Sequence, residues 1–454
     1  MKLAFVSGNR EQLPDAVVPL GLLYLMAACP ERHHAVLWDL CFERDPHAAL
    51  RSRLAQLEPD VVALGIRNLQ RNDYSGGRDN IDYYRSLVET IRAVSSARVV
   101  VGGGGFSVMP EGWMRELRAD FGVVGEGERA FAELLVALEA GQRSWADVPG
   151  LLYWAAGKLV SNPRGLRFLD LDELPVPDRT LVDPRYSERF GIESVQTKRG
   201  CSLACEYCTY PSIEGRTVRT RTPRLVADEM AALLATHPST RHVFIVDSVF
   251  NLPPDHARAV CRALRDRGWT VPWTCYANPI GFDGELARLM VQAGCAGVEV
   301  GADSGCDEVL RTLRKGFDTA ALRRLHAVAT EVGLRDCHTF MLGTPGESLY
   351  DVRRTLDFVI DLDPFSAIVM IWTDDAEAER PDLALARSEL RAGILHLLAE
   401  VTVSRPRWVV PATGLNFEPK LFTVLRKVGL RGPLWQHLDR ADERWRRLSG
   451  LRPR

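Results

Sequence analysis

The sequence predicts an α/β protein built on two successive, mainly parallel sheets. Two series of short apolar segments alternate with amphipathic helical patterns, the first over residues 1–140 and the second over residues 193–375. Such alternation is typical of parallel sheets covered by helices. A hairpin and a linker, proline-rich and acidic at its end, are expected between them over residues 141–192. We therefore expect a Rossmann-like, doubly wound N-terminal domain, a partial barrel, and a C-terminal helical extension over residues 376–454.

The first series supplies the elements of the doubly wound sheet. Its predicted strands are Leu3–Ser7, Ala35–Leu40, Val61–Ile66, Arg98–Val101 and Gly122–Val124. Its predicted helices are Leu20–Ala28, His47–Leu57, Ile81–Val94, Pro110–Arg118 and Glu128–Leu138. In such a sheet, ligands bind outside the carboxyl ends of the strands. The candidates at those ends are Gly8, Asn9, Arg67, Asn68, Asn72, Gly102, Gly103, Gly104, Gly105, Gly125 and Glu126.

The second series supplies the partial barrel. A small hairpin, Leu151–Trp154 with Lys158–Val160, is expected before it. The predicted barrel strands are Ser194–Lys198, His242–Val246, Trp273–Tyr276, Gly297–Gly301, His338–Leu342 and Ala367–Trp372. Six strand–helix units are too few for a closed eight-stranded barrel, so a (β/α)6 barrel is the prediction.

The composition excludes several classes of protein. The 454 residues are 46% apolar and 26% charged, which is typical of a folded globular protein. The net charge is −2, so a surface for nucleic acid is not expected. The longest uncharged stretches, residues 16–30 and 268–282, are shorter than the roughly 20 residues that span a bilayer. No basic segment precedes residues 16–30. We therefore expect no membrane span, no export signal and a cytoplasmic location.

Three of the ten cysteines form a compact motif. Cys201, Cys205 and Cys208 have the spacing C-x3-C-x2-C just after the first barrel strand, whereas the other seven lie in apolar segments where core packing is expected. Clustered thiolates select zinc, copper(I) or an iron–sulfur centre. Structural zinc favours four ligands, usually as two separated pairs. Three cysteines would leave one iron of a [4Fe–4S] cluster open to a substrate.

This motif resembles that of the radical S-adenosylmethionine (radical SAM) superfamily. The spacing, the position after the first barrel strand and the aromatic Tyr207 before the last cysteine all agree. The resemblance implies that Cys201, Cys205 and Cys208 hold the cluster, that its open iron chelates SAM, and that Tyr207 lines the adenine. A thiol-rich loop or a zinc knuckle is the alternative.

Polar residues at the next strand ends resemble the SAM contacts of the same superfamily. The residues are Asp247, Asn251, Tyr276, Asn278, Glu299, Asp303 and Ser304. At Asp303 the sequence departs from the usual pattern, in which Glu is commoner. Each such residue alone is more often a capping residue than a ligand, and their joint order is what favours SAM binding.

The first domain resembles the cobalamin-binding domain of cobalamin-dependent radical SAM enzymes. The matching segments are Pro19–Leu25, Asp39, Gly102–Gly105 and Gly125–Glu128. The glycine run follows the fourth strand and does not match a dinucleotide fingerprint. It removes side chains from the crevice, which suits a broad flat ligand.

The residues that would face the lower side of the cobalt in cobalamin differ from the cobalt-ligating motif of cobalamin mutases. Asp45 and His47 imitate a cobalt-ligating motif but lack its final glycine, so we interpret Asp45 as a helix cap and His47 as a helix-surface residue. Arg67 cannot ligate a metal but could keep other donors away, which resembles the tryptophan 2-C-methyltransferase branch. A surface ion pair between Arg67 and Asp73 is the alternative.

The resemblance implies a cobalamin-dependent radical SAM C-methyltransferase. Its cofactors would be a [4Fe–4S] cluster, SAM and cobalamin, with an electron donor of the flavodoxin or ferredoxin type. The substrate would be a small-molecule or peptide intermediate of natural-product biosynthesis, and the enzyme a monomer. A rearrangement or cyclisation, a polar aromatic methylation without radical cleavage of SAM, and a non-catalytic sensor are the alternatives. The arginine- and aromatic-rich extension either closes the substrate pocket or braces the barrel.

Overall fold

The structure of the protein is a computed structural model. It describes residues 1–69, 79–142, 144–165, 167–373, 381–402, 405, 407–417 and 419–438. Asn72 and Asp73, proposed above beside Arg67, lie outside these residues. Within the described chain, no helix is both long and apolar enough to cross a membrane.

The first sheet has seven strands. They are β1 (Lys2–Ser7), β2 (His34–Asp39), β3 (Val61–Gly65), β4 (Arg98–Gly102), β5 (Phe121–Val123), β6 (Leu151–Ala155) and β7 (Lys158–Ser161). The accompanying helices are α1 (Leu20–Ala27), α2 (Pro46–Leu57), α3 (Asp79–Val94), α4 (Gly104–Val108), α5 (Pro110–Leu117) and α6 (Glu128–Glu139). The strand order is β2-β1-β3-β4-β5-β6-β7, with β1 to β5 parallel.

This order confirms the predicted doubly wound sheet. Strand β1 lies between β2 and β3, so the direction of winding reverses between β1 and β3, where such folds bind ligands. Apolar clusters cover both faces, one around Leu64 and Val99 and the other around Phe5 and Phe131. The hairpin β6–β7 pairs antiparallel with β5 and so extends the first sheet beyond residue 140.

The second sheet also has seven strands, and all of them are parallel. They are β8 (Ile192–Val195), β11 (His242–Ile245), β12 (Trp273–Ala277), β13 (Cys295–Asp303), β14 (Arg335–Leu342), β15 (Ser366–Ile371) and β16 (Trp408–Val409), while β9 (Lys198–Arg199) and β10 (Arg219–Thr220) form a separate ribbon. The helices are α7 (Tyr210–Ile213), α8 (Pro223–Thr236), α9 (Pro254–Asp266), α10 (Gly284–Gln292), α11 (Asp307–Thr312), α12 (Thr319–Val332), α13 (Leu349–Leu362), α14 (Pro381–Thr402) and α15 (Pro419–Lys427).

The order β16-β15-β14-β13-β12-β11-β8 is that of an open barrel. The six predicted strands are all present, and the main apolar core lies between them and their helices. The seventh strand, β16, comes from the extension that the sequence predicts to be helical. Two paired residues are too short to produce a readable alternation of apolar and polar positions.

The extension also closes one end of the barrel. A Cβ placed on Gly297, near the start of β13, would lie 2.6 Å from the Trp435 ring, so only glycine admits this contact. Gly432 lies against His242 at the start of β11, and Arg335 at the start of β14 donates to the Gln436 carbonyl. The extension therefore covers the amino-terminal ends of the strands and leaves the carboxyl ends facing the first domain.

Candidate active site

One cavity of about 740 Å³ joins the carboxyl ends of the two sheets. The first domain lines it with Asn9, Gly65, Arg67, Gly102, Gly103, Gly104, Gly125 and Glu126, among others. The barrel lines it with Gln196, Arg199, Tyr210, Phe244, Tyr276, Glu299 and, from the extension, Phe417 and Trp435. The lining is mostly apolar, as expected for a pocket that holds organic ligands away from water.

The glycine run is required by the protein's own backbone. Gly103 has a φ of +105°, and a Cβ there would lie 2.6 Å from the Ile66 carbonyl oxygen. A Cβ on Gly105 would lie 2.8 Å from the backbone of Asn68, and one on Gly125 would lie 3.0 Å from the Ile213 carbonyl oxygen. The glycines thus let the β3 loop and α7 of the barrel approach closely. Gly102, Gly103 and Gly104 still present bare backbone to the cavity, which fits a broad flat ligand such as cobalamin.

The residues that follow β1 and β3, where the direction of winding reverses, include both cavity-lining and buried ones. Asn9 lines the cavity, and its Nδ2 is buried without a hydrogen-bond partner among the described residues. Gly8 is buried, since a Cβ there would lie 2.4 Å from the Tyr84 ring. Arg67 lines the cavity with an exposed side chain, whereas the Asn68 carbonyl accepts a hydrogen bond from Asn80 at 3.2 Å.

Glu126 belongs to a buried ionic cluster between the domains. Its carboxylate accepts hydrogen bonds from Arg199, at 3.2 Å, and from Arg219. Glu128 accepts from Arg199 at 2.7 Å. These four side chains are each about 6% exposed. The contacts give Glu126 a partner in the barrel, and contact with cobalamin stays a prediction for it.

The cysteine loop has the donor set of a cluster site. Cys201 is buried, and Cys205 and Cys208 are partly buried. Among the described residues, the one group of three His, Cys, Asp or Glu whose ligand atoms lie within 4.8 Å of each other is elsewhere, at His326, Asp336 and His338. At least two of the three thiols are therefore more than 4.8 Å apart, farther than the about 3.8 Å between thiolates on one tetrahedral zinc ion. Cysteine thiols are the donors that hold iron–sulfur clusters.

Burial makes the cysteine loop a poor place for thiolates without a metal. It raises the pKa of the Cys205 and Cys208 thiols, and the nearby Lys315 ammonium acts in the opposite direction. Backbone contacts fix the loop: the Cys208 N–H donates to the Cys205 carbonyl at 3.3 Å, and the Cys201 N–H to Gly215 at 3.1 Å. A bound metal centre would supply the positive charge that three thiolates need.

Tyr207, Asp303 and Lys315 form a buried polar group beside this loop. The Tyr207 hydroxyl donates to Asp303, and the Lys315 ammonium lies 2.5 Å from the same carboxylate and 3.2 Å from the Tyr207 oxygen. The backbone of Asp303 has a left-handed conformation, with a φ of +65°. The Tyr207 ring packs edge-on against Trp372 at 5.8 Å. These contacts fix the aromatic ring that the sequence predicts beside adenine.

Four other predicted SAM contacts are engaged in hydrogen bonds between loops. Asp247 accepts from the Thr197 N–H at 2.8 Å and from its hydroxyl. Asn251 donates to the Asn278 carbonyl at 2.9 Å and accepts from its N–H at 2.8 Å. The Asn278 side chain accepts from the Ile280 N–H, and the Ser304 hydroxyl bonds with Thr355. Asp247 and Asn251 tie strand ends together, Asn278 also caps its own loop and Ser304 binds helix α13, and direct contact with SAM stays a prediction for all four.

Tyr276 and Glu299 lie inside the barrel lumen on adjacent strands. They are paired in the register of β12 and β13 and both line the cavity. The Tyr276 ring packs edge-on against Phe244 at 5.1 Å. Glu299 accepts a hydrogen bond from the Trp435 indole N–H at 2.8 Å.

Three kinds of site residue have no signal in the sequence. Lys315 follows the fourth strand by a whole helix, so its contact with Asp303 has no local sequence signal. Arg199 and Arg219 are separated from their partners by 71 to 93 positions. Trp435 lies in the aromatic-rich extension, where no motif distinguishes it from its neighbours. Each contact spans the chain, and a single sequence contains no direct record of such pairs.

Comparison with known proteins agrees with this division. Residues 195–359 match the model of the radical SAM superfamily, and residues 8–135 match that of the B12 binding domain. The chain therefore combines a radical SAM domain with a B12-binding domain, the pairing that the sequence predicts, and the enzyme and cofactor predictions are confirmed: a [4Fe–4S] cluster, SAM and cobalamin.

Several of its relatives are methyltransferases. The chain is 29% identical to tryptophan 2-C-methyltransferase of Streptomyces laurentii, over 78% of this chain and 70% of that one. It is 25% identical to cytidylyl-2-hydroxyethylphosphonate methyltransferase of Streptomyces wedmorensis, over 77% and 74%. The solved structure of the radical S-adenosylmethionine methyltransferase TsrM from Kitasatospora setae, with cobalamin and a [4Fe–4S] cluster, aligns with a TM-score of 0.71 and 27% identity over 82% of this chain and 72% of that one.

Proposed function

We propose that this protein is a C-methyltransferase that modifies a small organic molecule inside the cavity between its two domains. The observation that supports this most is the single cavity of about 740 Å³, which receives the carboxyl ends of both sheets. A methyl donor held by one sheet and a hydrogen-abstracting group held by the other would reach the same substrate there. Cobalamin would take up part of this volume, and the remainder suits a small substrate.

The chain's residues hold, orient and shield the reacting groups. Cys201, Cys205 and Cys208 would hold the cluster, and the fixed Tyr207 ring would orient SAM beside it. Arg67 and the backbone of Gly102–Gly104 would lie against cobalamin. When bound, these groups supply the methyl donor and the radical chemistry. The apolar lining from Phe244, Tyr276 and the extension excludes water from reactive species.

The remaining partners follow from the same chemistry. Cleaving SAM to a radical consumes an electron, so we propose a flavodoxin- or ferredoxin-type donor. Because such donors are cytoplasmic proteins in cells, we propose the cytoplasm as the site of action. We also propose a monomer as the working unit.

The first experiment is metal and cofactor analysis after anaerobic expression with cobalamin supplied. About four iron atoms and one cobalt atom per chain are expected from one cluster and one cobalamin. The loaded enzyme is then given SAM with a deuterated methyl group, a reductant, and a panel of small molecules beginning with tryptophan, the substrate in the name of one relative. A deuterated methyl on carbon, with S-adenosylhomocysteine and 5′-deoxyadenosine, is the expected result.

The same product analysis separates the alternatives. A rearrangement or cyclisation would release 5′-deoxyadenosine without methylating any product. A polar methylation would give the methylated product and S-adenosylhomocysteine without 5′-deoxyadenosine. A sensor would give neither, and iron without cobalt would remove the proposed methyl donor.

A further inference from the structure

The cavity contains one carboxylate with an unusual set of partners. Five acidic residues line it: Asp15, Glu126, Glu128, Glu214 and Glu299. Asp15 is paired with Arg426, and Glu126 and Glu128 are paired with Arg199. Glu214 accepts hydrogen bonds from the Gly200 N–H at 2.9 Å and from Gln196 at 2.8 Å. Within the described residues, Glu299 has only the neutral Trp435 indole N–H, which donates to Oε1.

Glu299 lies at the closed end of the cavity. It is on β13, and the Trp435 indole that binds it belongs to the extension covering the amino-terminal ends of the strands. Tyr276 is next to it in the sheet, and Phe244 packs on Tyr276. The surroundings are therefore an aromatic floor with a single acidic group, and the opening is toward the first domain.

A carboxylate in such a place is costly unless a cation accompanies it. Transfer of a charge from water to an apolar site is unfavourable without a compensating partner. Burial accordingly raises the pKa of Glu299, against the opposing effect of the Trp435 hydrogen bond. A ligand that brings a positive charge would stabilise the ionised carboxylate. Arginines already pair with Asp15, Glu126 and Glu128, and Glu214 has two neutral donors where Glu299 has one.

The position favours a cation from the substrate over that of SAM. Tyr207 and Asp303, the groups beside the cysteine loop, mark the SAM end of the barrel. Glu299 precedes Asp303 by four residues in β13, which is at most about 13 Å because the strand is irregular at Asp303. The SAM amino group, chelated at the cluster in this class of enzymes, would lie at that far end.

We propose that Glu299 is the binding residue for a protonated amine of the substrate, so that the enzyme accepts aromatic or apolar amines. The aromatic floor favours this class further, because ring faces attract ammonium groups. This inference rests on the proposed function only in taking the cavity as the substrate site.

The test compares two probes that differ only in the charged group. Tryptamine carries an ammonium and tryptophol a hydroxyl on the same indole-ethyl body. Binding of each is measured by anaerobic calorimetry on enzyme loaded with cluster and cobalamin, in the presence of SAM. Tryptamine is expected to bind about tenfold tighter or more. Glu299→Gln, which retains an acceptor for Trp435, should abolish that preference, and Glu133→Gln on the exposed face of α6 should leave it unchanged.

The opposite results overturn the proposal. Equal affinities for the two probes, no binding of tryptamine, or an unchanged preference in Glu299→Gln would each exclude Glu299 as the amine-binding residue. A weaker affinity for SAM in Glu299→Gln, with the probe preference intact, would assign the residue to SAM. Deuterated methyl transfer to a substrate without an amine would support the proposed function and contradict this inference. Amine binding through Glu299 without any methyl transfer would support this inference and contradict the proposed function.

Discussion

Arg199 on β9 donates to Glu128 at the start of α6, with Nη2 and Oε1 2.7 Å apart. The bond crosses the boundary between the barrel and the first domain, and both side chains are about 6% exposed. Arg199 also reaches Glu126, which Arg219 holds from a second direction. Because this cluster borders the cavity, it fixes the distance between the two sheets at the place where the cofactors of both domains must meet.

Breaking this pair should destabilise the protein strongly. Arg199→Met leaves Glu128 buried without its cation, and loss of one partner of a buried ion pair costs about 3–5 kcal/mol. The exposed pair Arg32–Glu139 provides the control, since Arg32→Met there should cost far less. Urea unfolding of the cobalamin-free protein measures both. Similar losses in the two variants would show that the junction does not depend on Arg199.

The cysteine motif gives a second prediction. Replacing Cys201, Cys205 or Cys208 by alanine should remove cluster iron and turnover while cobalamin remains bound, because the two sites use different domains. Cys261→Ala, at a buried cysteine in the barrel core, is the control and should retain iron. Iron and cobalt content of the purified variants decide the matter. Full activity in any of the three motif variants would refute the assignment.

The fold was largely predictable because hydrophobic periodicity is local. Strands β1 and β3 and helices α2 and α6 were predicted to within one or two residues. The short helix α4 is not predicted, because it begins inside the glycine run, which the sequence assigns to the ligand crevice. The structure gives another reason for the glycines: Gly103 and Gly105 admit the backbone of the β3 loop. This contact joins segments more than 30 residues apart, so a local sequence pattern does not reveal it.

The site was predictable only in its parts. The strand-end residues are correctly located, but their partners come from distant segments. The Tyr207–Asp303 contact joins residues 96 positions apart, and the Glu299–Trp435 contact joins residues 136 positions apart. Long-range ionic and hydrogen-bonded pairs follow from tertiary packing, which no window of sequence reports.

Lys315 should be essential to the geometry around the cysteine loop. Its ammonium is the cation nearest the Asp303 carboxylate, and both side chains are at most 5% exposed. Lys315→Met should cost about 3–5 kcal/mol of unfolding free energy and weaken SAM binding, since Tyr207 loses a fixed partner. Arg353→Met, in an exposed pair with Asp357, is the matched control with a cost of at most about 1 kcal/mol. Urea unfolding and equilibrium SAM binding measure the two effects, and an unchanged stability would contradict the expectation.

His242 should make the stability depend on pH. Burial lowers the pKa of this histidine to about 3, and its Nε2 is hydrogen-bonded to Thr274 at 2.8 Å. The unfolded chain takes up a proton near the ordinary pKa of 6.5, which the folded protein resists, so stability is present above pH 6.5 and falls as the pH drops toward 3. Between pH 7.5 and pH 5 the loss is about 2 kcal/mol. His242→Asn cannot titrate, so its unfolding free energy should fall by that much less over the same interval, whereas an equal fall in both proteins would contradict the pKa.

Arg67 offers a test of the cobalt's lower face. It lines the cavity at the end of β3, next to the backbone of Gly104, where the first domain would receive cobalamin. A guanidinium stays protonated and cannot donate to cobalt, whereas an imidazole can. Arg67→His should therefore shift the absorption spectrum of bound cobalamin toward a nitrogen-ligated form, and slow methyl transfer about tenfold or more if methyl departure needs a weakly ligated cobalt. Arg10→His, at an exposed arginine that donates to the Glu43 carbonyl, controls for the added histidine. The same spectrum in Arg67→His and in the unsubstituted enzyme would place Arg67 away from the cobalt.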